Sequence, residues 1–177
     1  MVRHDYQQSR RLRMHSKIIP TSVAVVFGLT LLHGTAPADG AEVDVIVTDV
    51  TTAESMQIGE GETLFSLDQI LVLTGEGLLN NLTGRCLALE EVEDETGASE
   101  SNGFCTYNDS DDDKIFTEVR LKRDSLTDEA SGPAKITGGT GKYEGISGRL
   151  TQTRLLLLPG PKEGVFPGVG RITGTIN

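Results

Sequence analysis

Asp109, Asp111 and Asp113, spaced by Ser110 and Asp112, are the side chains of this sequence that come nearest to a metal site. Carboxylates are hard oxygen donors and calcium takes six to eight oxygens, so the run is a calcium candidate. The rest of an EF-hand loop is missing. The sixth position counted from Asp109 is Lys114, where the loop needs glycine, and Glu118 comes too early for the bidentate twelfth ligand. The preferred reading is a solvated hairpin turn, whose Asn and Asp side chains tolerate turn geometry and whose charge discourages edge association. The sequence calls for no other cofactor.

The three histidines, His4, His15 and His33, all lie in the first 33 residues. A chain cut after Ala38 therefore has no imidazole. That excludes hydrolases with a His base, His-ligated zinc or copper, and any general base with an unperturbed pKa near neutrality. Catalysis would have to use carboxylates, Tyr107, Tyr143 or a lysine with a shifted pKa. No catalytic residue is assigned. Cys86 and Cys105 are the only cysteines, each inside a predicted strand and separated by an acidic segment, Glu90 to Glu95. In an exported chain such a pair predicts a disulfide; the redox alternative usually has Cys-x-x-Cys spacing at a helix start.

The densest cluster of glycine is Gly138 to Gly148, with five glycines in eleven residues: Gly138, Gly139, Gly141, Gly145 and Gly148. Glycine reaches positive φ without a Cβ clash, so the stretch predicts a tight turn, a bulge or a backbone crossing between strands. A phosphate-binding loop would need glycine at 136 and a hydroxyl at 143, where the chain has Ile136 and Tyr143. The dinucleotide fingerprint also fails, for want of a βαβ unit. Tyr143, inside the corner, is expected to anchor the turn by packing its ring.

The segment Ile136-Thr137-Gly138-Gly139-Thr140-Gly141-Lys142-Tyr143-Glu144-Gly145-Ile146-Ser147-Gly148, followed by an alternating strand, resembles the glycine signature of the allene oxide cyclase and dirigent-like barrels. Small exported bacterial proteins of unassigned role look similar. The resemblance implies an eight-stranded antiparallel barrel, often trimeric in the plant members. The cyclases' catalytic motifs have no counterpart in this sequence, so no residue role is carried over.

The elements around these residues read as strands. Val43, Val45 and Val47 alternate with Asp44, Ile46 and Thr48, and Ile115, Thr117, Val119 and Leu121 share one face of another strand. Thr63 to Leu67, Gln69 to Leu73, Leu82 to Glu90, Gly103 to Asn108, Ala134 to Thr137, Arg149 to Leu158 and Arg171 to Ile176 complete eight or nine. Short strands with turn signals at this spacing predict an all-β sandwich or barrel, and the resemblance favours one closed antiparallel barrel over residues 39–177. Leu155 to Leu158 put two side chains on each face, so both faces are expected to be buried, one plugging the barrel and the other meeting a second subunit. This is the hint of a homo-oligomer.

Ahead of the barrel, Arg3, Arg10, Arg11, Arg13 and Lys17 precede a 15-residue apolar run, Ile18 to Leu32, and then Ala36-Pro37-Ala38. This pattern predicts a signal peptide over residues 1–38, helical in its apolar part, cleaved after Ala38 and leaving no membrane span; an uncleaved anchor is the rival. Ser9 to Met14 also resembles a twin-arginine signal. Asn81-Leu82-Thr83 and Asn108-Asp109-Ser110 fit the glycosylation sequon, read as coincidence behind a bacterial-looking leader. Removing the leader takes away five Lys/Arg and one Asp, leaving 11 basic and 25 acidic side chains, a formal charge of −14. Such a chain is repelled by phosphate backbones, so nucleic acid is not expected as a partner.

These features rank three functions. First is a non-enzymatic barrel, secreted or periplasmic, that binds a small apolar ligand or a partner at its mouth. The second, implied by the resemblance, is an isomerase or cyclase working in the barrel cavity, with Tyr143 and a buried carboxylate such as Glu144. The third is a structural, envelope-associated oligomer. The interior decides among them: filled for structure, an apolar pocket for binding, a pocket with an inward carboxylate or tyrosine for catalysis.

Overall fold

The computed structural model describes residues 40–177. The predicted leader and the start of the barrel domain at residue 39 lie outside the described residues. Eight strands follow in order: β1 (Ala41–Gly59), β2 (Glu62–Glu76), β3 (Leu82–Glu93), β4 (Ser99–Asn108), β5 (Lys114–Arg123), β6 (Ala130–Gly139), β7 (Gly148–Leu156) and β8 (Val165–Ile176). Each pairs antiparallel with the next, and β8 pairs back onto β1 to close the barrel. Closure leaves no free edge along the paired length of the strands. Among the described residues no helix is long and apolar enough to cross a membrane.

Side-chain alternation does the rest. Val43, Val45, Val47, Leu71, Leu73, Leu82, Ile115, Ile136, Leu150, Ile172 and Ile176 point inward and form one apolar core. The β2 region, which reads from sequence as two pieces, is one strand. Leu67 and Gln69 both face inward across Asp68, so the alternation never breaks. Strands β4, β6 and β8 start earlier than the sequence predicts: the Ser- and Gly-rich starts of β4 and β6 are held by neighbouring ladders, and so is that of β8, where Pro167, Gly168 and Gly170 interrupt its apolar residues. The acidic segment is divided between strand and turn: β3 continues through Glu93, Glu90 faces inward, and Asp94 and Glu95 begin the β3–β4 turn.

The barrel has two unlike ends. At one, the β2–β3 loop inserts Leu79, and the glycine segment folds as a β-bulge at Phe116/Thr117 opposite Gly138, followed by a single 3-10 turn, Gly141–Tyr143. Tyr107 and Tyr143 are buried there with the apolar core. At the other end, β1 runs on past its last pair with β8, Thr52–Val165, still paired with β2, and the β3–β4, β5–β6 and β7–β8 connections lie around the opening. The leucine run is divided here rather than buried on both faces. Strand β7 ends at Leu156, and Leu157 and Leu158 leave the ladder about 45 % and 43 % exposed.

Candidate binding site at the barrel mouth

The inward series of several strands change character towards the open end. In β1, Val43, Val45 and Val47 give way to Asp49 and Thr51; in β5, Ile115 to Leu121 are followed by Arg123; in β7, Leu150 is followed by Gln152 and Arg154. Gln69 in β2 and Glu90 in β3 lie at the same level. A ring of polar side chains thus sits inside the barrel, between the apolar core and the mouth.

Two ion pairs organise this ring, each reaching across an intervening strand. Arg154 on β7 donates from Nε (3.0 Å) and Nη2 (2.8 Å) to the two oxygens of Asp49 on β1, and from Nη2 to Thr51 Oγ1 at 2.7 Å. Strand β8 lies between them and presents Gly168 opposite Asp49. A Cβ on Gly168 would fall 2.4 Å from Asp49 Oδ2, so glycine makes the room in which the carboxylate sits. Thr51 in turn donates to Asp49 Oδ1 (2.9 Å) and accepts from Gln69 Nε2 (3.1 Å). On the other side, Arg123 of β5 lies 3.2 Å from Glu90 of β3, across β4, whose inward residues there are the small Ser99, Ser101 and Gly103. Ser99 donates to Glu90 Oε1 at 2.6 Å, and Arg123 Nε donates to the Gly97 carbonyl at 3.2 Å. Buried charges are tolerated when paired and hydrogen-bonded in this way.

Above the ring opens a pocket of about 320 Å³, with Phe65, Leu126, Leu156, Leu158 and Phe166 as its apolar walls and Glu90, Arg123 and Arg154 at its base. Below the ring lies a void of about 30 Å³, lined by Gln69, Glu90, Ser101, Arg123, Gln152 and Arg154 among others, with room for a water molecule. The two spaces share Leu67, Glu90, Arg123, Arg154 and Leu156, so the ion pairs form the partition between them.

The residues singled out from sequence sit elsewhere. Cys86 and Cys105 are directly opposed on β3 and β4, both buried, and joined as a disulfide. The bond links two strand interiors and does not staple a loop. Asp109, Asp111 and Asp113 lie in the β4–β5 turn at the closed end, against the glycine corner. Lys142 Nζ is 2.6 Å from Asp109 and 3.3 Å from Asp111, the Lys142 amide donates to Asp113 at 3.2 Å, and Asp109 Oδ1 accepts from the amides of Asp111 and Asp113. The hydrogen bond from Lys142 holds the Asp109 carboxyl at about 2, below the usual carboxylate range. What these carboxylates face is a lysine and backbone amides. Among the described residues no three His, Cys, Asp or Glu side chains gather as a metal site.

Tyr143 packs into the closed end, where burial raises its pKa above the ordinary phenol value, and burial pushes Tyr107 to about 12. Glu144 is exposed, so it is not the buried carboxylate a cavity reaction would need. Neither Tyr143 nor Glu144 lines the mouth pocket. The charged residues at its base, Glu90, Arg123 and Arg154, and Asp49, which pairs with Arg154, carry one signal in the sequence: a charged side chain at the inward position of an otherwise apolar series. That signal needs the strand phase and the barrel end to be known together.

Fold and site together define a closed, eight-stranded antiparallel β-barrel with a pocket at one mouth. Among solved structures it is similar to a pterocarpan synthase dirigent protein, at 13 % identity over 77 % of this chain and 89 % of that one, with a TM-score of 0.47. No family model and no curated protein matches.

Proposed function

We propose that this is a non-enzymatic, exported binding protein that takes a small, largely apolar molecule into the mouth of its barrel. The observation that carries the reading is the mouth pocket itself. Its volume falls at the lower end of the range of ligand sites, roughly 300–1,000 Å³, and apolar walls surround a few fixed polar groups. Both inward carboxylates already have an arginine as partner, which favours binding over proton transfer. Export to a secreted or periplasmic location is supported by the leader pattern and by the disulfide, which persists in oxidising compartments.

The test is uptake of N-phenylnaphthylamine, a neutral aromatic probe whose fluorescence rises in apolar surroundings. The protein is expected to bind it saturably, and Ala53→Trp, which fills the pocket from β1, to abolish binding without lowering the melting temperature. Uptake that survives Ala53→Trp would place the probe elsewhere and sink the reading.

A second reading, self-association, is favoured by the outer wall. Val50, Ile70, Val72, Leu87, Leu89 and Phe104 are all more than two-fifths exposed on neighbouring strands β1 to β4. In their midst Arg85 donates to Asp68 at 2.6 and 2.8 Å. On a strongly acidic chain this face is locally neutral, and its adjacent positive and negative side chains can be exchanged reciprocally across a two-fold axis with a second copy.

A further inference from the structure

We infer that the mouth selects ligands with an uncharged, hydroxyl-type head and discriminates against carboxylates and ammonium groups; this rests on the binding reading above. The charges of the inner ring cancel. Two guanidinium groups, Arg123 and Arg154, face two carboxylates, Glu90 and Asp49. The other charged side chain of the lining, Asp94, is exposed at the rim, where water screens it. A charged head lowered onto this ring would have no counter-ion and would lose its hydration.

The hydrogen-bonding capacity of the ring, unlike its charge, is not exhausted. Arg154 uses Nε and Nη2, and Arg123 uses Nε and Nη2, so among the described residues neither Nη1 has a protein partner. Gln152, 96 % buried, lines the void beneath, and its Oε1 has no hydrogen-bond partner. The ring therefore offers free donors from two guanidinium groups, and the void beneath it a free acceptor from one amide. A hydroxyl in the pocket accepts from arginine without adding charge to the balanced ring, and the glutamine acceptor is left to a water in the void. An unpartnered buried acceptor is costly, so a water in the void that donates to it is favoured. The apolar body of the same ligand then lies against Phe65, Leu126, Leu156 and Phe166.

The experiment is displacement of N-phenylnaphthylamine by three molecules of equal chain length: n-decanol, decanoate and decylammonium, at pH 7. Decanol is expected to displace the probe at a concentration lower by about tenfold or more. Because decanol is also the most hydrophobic of the three, two charge variants supply the specific readout. Glu90→Gln leaves Arg123 unbalanced and is expected to shift the order towards decanoate; Arg123→Gln leaves Glu90 unbalanced and is expected to shift it towards decylammonium. Opposite shifts in the two variants support the inference, since hydrophobicity alone moves neither. Equal or better displacement by either ion on the wild-type protein overturns it without using a variant, as does an unchanged order in variants that melt like the wild type. If the probe does not bind at all, the mouth reading itself has failed, and this inference with it.

Discussion

Gly141 sits at φ +55°, and a Cβ there would fall 1.7 Å from Asp113 Oδ1. Gly141→Val is therefore expected to cost stability twice, through left-handed backbone strain of about 1–3 kcal/mol and through displacement of the Asp113 carboxylate that holds the Lys142 amide. Gly61→Ala is the control, because Gly61 has φ +76° with nothing within 4 Å of an added Cβ. It should show only the backbone part, and equal melting temperatures for the two variants would contradict the packing argument. Asp109 gives a pH dependence with a definite sign. Its folded-state pKa, about 2, lies below the ordinary aspartate value. The stabilisation is complete above the unfolded value of about 3.9 and is lost as pH falls towards 2. Urea melts of wild type and Asp109→Asn should differ by a constant amount at neutral pH and converge through that acid window. A gap that does not change with pH would remove the ion pair from the account.

At the scale of elements, the disulfide shows how strand phase changes the meaning of a residue. Cys86 and Cys105 are opposed in the β3–β4 ladder, so the bond ties together two strands that already pair and points into the barrel near the polar ring. Replacing both by alanine is expected to cost about 3 kcal/mol on the loop-closure estimate for a span near 20 residues. Guanidinium unfolding measures that loss, and an intact mass about two units below that of the dithiol reports the bond beforehand. A double variant as stable as wild type would show that ladder pairing alone restrains the unfolded chain there. The glycine corner and the aspartate turn also act as one element. The Lys114 amide donates to Thr140 Oγ1 and the Thr140 amide to the Lys114 carbonyl, so residues 26 apart in sequence close the barrel end together.

On the scale of the whole molecule, the barrel segregates its side-chain chemistry by pole and by face. The closed end is filled by Leu79, Tyr107 and Tyr143, the open end holds charged residues beneath an apolar pocket, and the outer wall of β1 to β4 carries exposed apolar side chains. Sedimentation velocity over a range of concentrations tests that wall. A defined oligomer that Ile70→Lys or Phe104→Lys dissociates is the expected outcome, and an oligomer indifferent to both substitutions would place the contact elsewhere. Mouth binding should be unaffected by either change, because Ile70 and Phe104 point away from the cavity.

The all-β class, the inward phase of β1 and β5 and the pairing of the two cysteines were legible in the residues, because each depends on local alternation or on counting. The sequence splits β2 and hides the starts of β4 and β6, whose residues have weak strand propensity, and of β8, where Pro167, Gly168 and Gly170 interrupt Val165, Phe166 and Val169; neighbouring ladders hold all three. The charged ring was hidden for a related reason. Asp49 and Arg154 are 105 positions apart, Glu90 and Arg123 are 33 apart, and each pair meets only when a strand of small residues lies between its partners. Glu90 stands at the head of an acidic run, and its inward position follows only from the phase of β3. The sequence by itself determined an alternating, glycine-punctuated chain able to close into a barrel. Tertiary structure alone decided which end closes and which stays open, because that depends on side chains brought together around the barrel by hydrogen-bond register.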